Sequence, residues 1–223
     1  MSKNGARSGV WGGIAIALGF LSAGCSRSPL LHPEAAYWSQ PAPAVYDAAV
    51  ETSEGTFVLE IHRDWAPRGA DRFYRLARAG YYDDSRFTRV VPNFIAQFGV
   101  AGDPRLNAAW STRTFPDDSV RHANVRGTIA FAMTGPNTRA TQLYISLVDN
   151  SRLDAQGFAP IGFVARGMDV VDRLYSGYGE TSGGGVRAGK QGPLLTGGNA
   201  YVDRAYPKLD RILHIGIREV GTR

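Results

Sequence analysis

The run Phe87-Thr88-Arg89-Val90-Val91-Pro92-Asn93-Phe94-Ile95-Ala96-Gln97-Phe98-Gly99 sets one guanidinium and one carboxamide among large apolar residues. An arginine among such neighbours is costly to bury unless partners satisfy it. The alternative at this stretch alone is a surface strand whose arginine snorkels to water. Other chemistries find no residues to carry them. Cys25 is the single cysteine, and no serine stands in a Gly-x-Ser-x-Gly elbow, so covalent catalysis lacks a nucleophile. The histidines His32, His62, His122 and His214 have no ligand spacing, so neither a metal nor another cofactor is expected. Gly184 to Lys190 has the outline of a phosphate loop, but Gln191 stands where Ser or Thr would hold magnesium, and no apolar strand leads in. No pair of acids is singled out for glycoside chemistry. What remains is chemistry that needs no nucleophile and no acid-base pair.

The elements that must position these groups are short strands. Pro92-Asn93 is a strong turn pair, so the run reads as two strands around it. Phe87, Arg89 and Val91 then share one face of the first strand, and Ile95 and Gln97 one face of the second. A second stretch, Gly127 to Ser146, places two apolar strands around the polar turn Gly135-Pro136-Asn137-Thr138.

At these two stretches the chain resembles the cyclophilin-type peptidyl-prolyl cis-trans isomerases. The family's signatures are Phe-His-Arg-Val/Ile-Val/Ile-Pro-x-Phe-x-x-Gln-x-Gly and Met-Ala-x-x-Gly-Pro-x-Thr-x-x-Ser/Thr-Gln-Phe-Phe/Tyr-Ile. Both are present in order, with Thr88 for the His, Phe131 for the Met and Leu143 for the first Phe of the second signature. The resemblance covers roughly Val45 to Tyr175. It implies a mainly β fold, a closed eight-stranded antiparallel barrel capped by two α-helices. It also implies an activity, rotation about X-Pro bonds. That rotation faces a barrier of about 18–20 kcal/mol from amide resonance and unaided takes on the order of tens to hundreds of seconds. By resemblance Arg89 is the catalytic cation aimed at the prolyl nitrogen, and Gln97 holds the amide oxygen or its water. Phe94, Ile95, Ala132, Met133, Gln142, Tyr144, Leu153 and Phe158 match substrate-binding positions, with the backbone at Met133 pairing with extended peptide. Arg152 stands where the family often carries Trp, and Phe158 where it often carries His. These changes keep the pocket apolar and alter its rim. Two alternatives stay open: a module that captures proline-containing segments without turnover, and a scaffold lipoprotein that binds no peptide.

Along the chain, Val45 to Glu51 and Thr56 to His62 read as strands around the turn Thr52-Ser53-Glu54-Gly55. Asp64-Trp65-Ala66-Pro67 opens a helix that Gly80 stops. Asp103 to His122 reads as irregular, and Met168 to Tyr175 as the second helix. Ser176 to Pro207 is glycine-rich and reads as an ordered surface loop. Leu209 to Val220 alternates as a last strand, pairing with the first.

At 223 residues and 43% hydrophobic the chain suffices for one folded domain, expected over residues 45–223. Residues 1–24 read as a lipoprotein-type signal: Lys3 and Arg7 precede a short apolar run, which ends in Leu21-Ser22-Ala23-Gly24-Cys25. That ending resembles the bacterial lipobox, which implies a lipid on Cys25. Residues 25–44, with Pro29, Pro33, Pro41 and Pro43, read as an extended tether. The expected setting is the cell envelope, lipid-anchored and facing the periplasm or exterior, with proline-containing polypeptides as partners and the protein a monomer. The charge of +5 is scattered, so no nucleic-acid partner is expected.

Overall fold

The computed structural model describes residue 1, residues 29–183 and residues 191–220. The signal segment beyond Met1, Cys25 and the Gly184 to Lys190 motif lie outside the described residues.

Alternating apolar positions build eight strands: β1 (Val45–Thr52), β2 (Gly55–His62), β3 (Arg89–Val91), β4 (Ile95–Phe98), β5 (Thr128–Phe131), β6 (Leu143–Ser146), β7 (Pro160–Arg166) and β8 (Ile212–Glu219). They form one sheet in the order β3-β4-β6-β5-β7-β2-β1-β8, and every pairing is antiparallel. β8 pairs with β1 as expected. The closed barrel does not form: β3 and β8 are the two ends of a curled, open sheet. Among the described residues they are joined by one isolated bridge, Arg86 with Arg211. Phe87 N–H to Asp210 O and Ile212 N–H to Ser85 O flank it, both at 2.9 Å. The reason is length, because the three residues of β3 run into Pro92 and cannot ladder along the eight of β8.

The helices also differ from expectation. α1 (Pro67–Arg78) and α3 (Met168–Arg173) stand where two helices were expected, but α2 (Pro104–Trp110) interrupts the stretch read as irregular, and α4 (Gly192–Ala205) the stretch read as loop. Asp103 caps α2 by accepting from Arg105 N–H at 2.8 Å, with Pro104 in the first turn. α4 buries Leu194, Gly198 and Val202, one residue in four, and kinks at Gly198. Tertiary bonds hold it: Asn107 Nδ2 donates to Leu195 O at 3.2 Å, and Asn199 N–H to Gly102 O at 2.9 Å.

The main core lies between the sheet and α1, where Tyr46, Phe57, Leu59, Ile61, Phe73 and Leu76 are fully buried. The segment before β1 is not an extended tether over its described part. Pro29–Leu31 and Ala36–Ser39 are 3₁₀ turns laid against the domain. Trp38 meets Trp110 edge-on at 4.4 Å, the Trp110 indole donates to Leu30 O at 2.7 Å, and Ala42 N–H donates to Asp71 at 2.8 Å. Aromatic rings this large bury area that an extended spacer would leave in water.

Candidate functional site

The β3–β4 hairpin brings the two polar groups together. Asn93 takes a left-handed conformation (φ +57°), and Phe94 N–H donates to Val91 O at 3.1 Å, closing the turn. The resulting register sets Arg89 opposite Gln97 and Val91 opposite Ile95. Directly opposed residues share a face, and Arg89 Nη1 donates to Gln97 Oε1 at 3.0 Å. The carboxamide chain continues, since Gln97 Nε2 donates to Gln142 Oε1 at 2.9 Å, and Gln142 Nε2 to Gln191 Oε1 at 2.8 Å. Gly99 is what lets the Gln142 strand come so near. It sits at φ +106°, and a Cβ there would be 2.4 Å from Thr141 O.

Beside this network lies an apolar patch separate from the main core. Ile95, Ala130, Tyr144 and Leu153 are buried together, with Phe94, Ala132 and Phe158 packed against them. Six expected substrate-binding residues thus meet in one cluster: Phe94, Ile95, Ala132, Tyr144, Leu153 and Phe158. Gln142 joins through Gln97. Met133 sits at the edge, its Cε 3.5 Å from where a Cβ of Gly157 would be. Tyr144 and Phe158 pack edge-to-face at 5.8 Å. The Tyr144 hydroxyl donates to Asn124 Oδ1 at 2.7 Å, and burial, reinforced by the nearby Asp154 charge, holds this phenol well above its usual range. It therefore stays a neutral donor. Fully buried Asn124 braces the far wall, its Nδ2 reaching Asp154 Oδ1 at 2.7 Å and Phe158 O at 2.8 Å.

Two contacts had no signal in the sequence, and Asn124 is one. Arg152, singled out at the rim and exposed in the 3₁₀ turn Ser151–Gln156, places its guanidinium 4.7 Å from the Phe94 ring centre, while Arg89 lies 5.3 Å from the same ring. Glu180 is the other: its carboxylate accepts from Arg89 Nε at 2.8 Å and from Nη2 at 2.6 Å. Arg89 is in consequence only 4% exposed. Among the described residues no group of three or more His, Cys, Asp or Glu is placed to hold a metal ion. A cavity of about 490 Å³ lies elsewhere, beside α1 between Trp38, Arg72, Trp110 and Phe115, and shares no residue with this cluster.

Comparison with known proteins fits this geometry. The family model for cyclophilin type peptidyl-prolyl cis-trans isomerases matches residues 48–191. A Neurospora crassa peptidyl-prolyl cis-trans isomerase-like 1 is 35% identical over 132 residues, 57% of this chain and 80% of that protein. An Arabidopsis thaliana peptidyl-prolyl cis-trans isomerase is 34% identical over 142 residues, 62% of this chain and 85% of the relative. Among solved structures, a Cryptosporidium parvum cyclophilin type isomerase superposes with a TM-score of 0.57 at 19% identity, covering 79% of this chain and 99% of that one. The same protein determined in the presence of the dipeptide Ala-Pro gives a TM-score of 0.56.

Proposed function

The chain belongs to the cyclophilin-type peptidyl-prolyl cis-trans isomerase family, and from that membership we propose that Arg89 and Gln97 carry its reaction on X-Pro bonds of exported or envelope proteins. The enzyme is a peptidyl-prolyl isomerase. The finer assignment rests above all on one observation: Arg89 and Gln97 are cross-strand partners, bonded at 3.0 Å, beside the Phe94 apolar patch. The proline ring enters that patch against Phe94, Ile95, Ala132, Tyr144, Leu153 and Phe158, which removes apolar surface from water and fixes the ring. Arg89 donates toward the prolyl nitrogen. As the C–N bond twists, resonance is lost and the nitrogen lone pair localises, so a fixed cation stabilises the twisted state more than the planar one. Gln97 and Gln142 hold the substrate's amide oxygen or its water, and the backbone at Met133 pairs with the extended peptide. An Ala-Pro unit is the minimal ligand, in keeping with the dipeptide added to the Cryptosporidium parvum relative.

Export rests on the sequence alone. The basic start, the apolar run and Leu21-Ser22-Ala23-Gly24-Cys25 support an enzyme carried by a lipid on Cys25, and we propose that it acts as a monomer. A wild-type culture should yield membrane-bound protein beginning at Cys25, and Cys25→Ala should stay unprocessed or be released. Equal processing and equal membrane recovery for both would end the lipoprotein reading.

A further inference from the structure

The bond between Arg89 and Glu180 serves no step of the rotation. Glu180 takes the Nε and one Nη2 donor of the guanidinium, and Gln97 takes one from Nη1, so a carboxylate of the chain holds one whole edge of a five-donor fork. The same segment covers the arginine's stem. At Gly183 a Cβ would come within 2.8 Å of Arg89 Cβ and 3.0 Å of Cδ. The Arg89 side chain is 5% exposed in this state, whereas Glu180 is 50% exposed. Glu180 can therefore exchange Arg89 for water without being left dry. Among the described residues three further bonds hold the segment: Thr181 N–H to Tyr178 O at 3.0 Å, Gln191 Nε2 to Gly183 O at 3.3 Å, and the Tyr206 hydroxyl to Thr181 O at 3.2 Å. The Ser182 hydroxyl is fully buried and has no hydrogen-bond partner among the described residues.

We propose that Glu180 is a positioning residue that closes the site: its carboxylate competes with the prolyl peptide for the Arg89 guanidinium, and residues 180–183 must leave Arg89 before turnover. This rests on the assignment of Arg89 above. Closure of this kind lowers apparent affinity by the fraction of molecules that are open and leaves the chemical step alone.

Steady-state isomerisation of an Ala-Pro peptide by the full chain tests it. Glu180→Gln keeps the shape and removes the charge, so KM should fall about tenfold with kcat unchanged. Glu180→Asp keeps the charge on a shorter arm and should stay near wild type. Gly183→Ala leaves every charge in place but crowds Arg89, and should lower KM in the same direction. Wild-type KM should also fall as salt is added, while that of Glu180→Gln should not. A lower kcat in Glu180→Gln, or equal KM and equal salt response in both proteins, would overturn the closure. If Glu180→Gln folds poorly, the Gly183→Ala and wild-type salt measurements decide alone. Arg89→Ala is run alongside. Full activity there removes the assignment of Arg89, a result distinct from any failure at Glu180.

Discussion

In the proposed mechanism a single side chain supplies most of the catalysis, because among the described residues Arg89 is the cation bonded to Gln97 beside the apolar patch. Arg89→Ala removes both charge and fork, and Arg89→Lys keeps the charge as a point without the planar pair of donors. Losing one preorganised donor typically costs about 3–4 kcal/mol in the transition state, or hundreds- to a thousandfold in rate. The alanine variant should show that loss in kcat/KM, and lysine should recover part of it. Both should fold, since the partner left behind, Glu180, is half exposed and can turn to water. Rates on an Ala-Pro peptide together with thermal melting check this, and a stable alanine variant at the wild-type rate would leave the cleft as a binding site only. Arg89 and Gln97 were legible because a strand repeats every two residues and Pro92-Asn93 fixes the turn between them. Glu180 was not, because it reaches Arg89 across 91 residues from a stretch with no periodicity.

The elements depend on contacts that local sequence does not announce. α1 has Ala66 at its cap position, with no side chain able to accept. Asp118, far along the chain, does the work instead, taking Arg68 N–H at 3.2 Å and Gly69 N–H at 2.9 Å, one on each oxygen. The same buried carboxylate lies 3.9 Å from Arg139 Nη1, and Arg139, which is 2% exposed, donates through Nη2 to Gly157 O at 2.6 Å beside the apolar patch. Asp118→Ala therefore uncaps a helix and withdraws a counter-charge from a buried arginine. It should cost about 3–5 kcal/mol, and Asp118→Asn, which keeps an accepting oxygen, about 1–2 kcal/mol. Urea unfolding measures both, and a loss under about 1 kcal/mol for alanine would show that water or Asp117 replaces the contact. α1 and the β3–β4 hairpin could be read from Pro67, Gly80 and Pro92-Asn93. α4 could not: Gly192, Pro193, Gly197 and Gly198 hide the stripe Leu194, Gly198, Val202, and the helix forms because Asn107 and Asn199 tie it down. Tertiary bonds here override a poor helix propensity.

For the whole molecule the open sheet has a consequence that a closed barrel would avoid, since both end strands and the face of α1 need covering. The β3 end is covered by residues 180–183, which lie on Arg89. The α1 side is covered by the segment before β1, where Pro29, Pro33, Pro41 and Pro43 suggested a spacer but Leu30 and Trp38 dock. Proline content signalled the lack of long helix correctly and said nothing of where the aromatic rings would go. The two descriptions predict different thermodynamics. If the segment were a free tether, Trp38→Ala would leave stability unchanged. Docked, Trp38 contributes an edge-on contact with Trp110 at 4.4 Å and an indole bond to His32 O at 2.9 Å that braces the turn presenting Leu30 O to the Trp110 indole. Trp38 is only partly buried, so its removal should cost about 1–3 kcal/mol, which for a chain of this size is a fall in Tm of about 3–10 °C. Isomerisation should be untouched, because among the described residues the apolar cluster beside Arg89 shares none with this region. Melting and rate measured on the same preparation separate the cases. An unchanged Tm would return the segment to a tether, and a lost rate at unchanged Tm would mean that the segment reaches the active cleft by a route through α1.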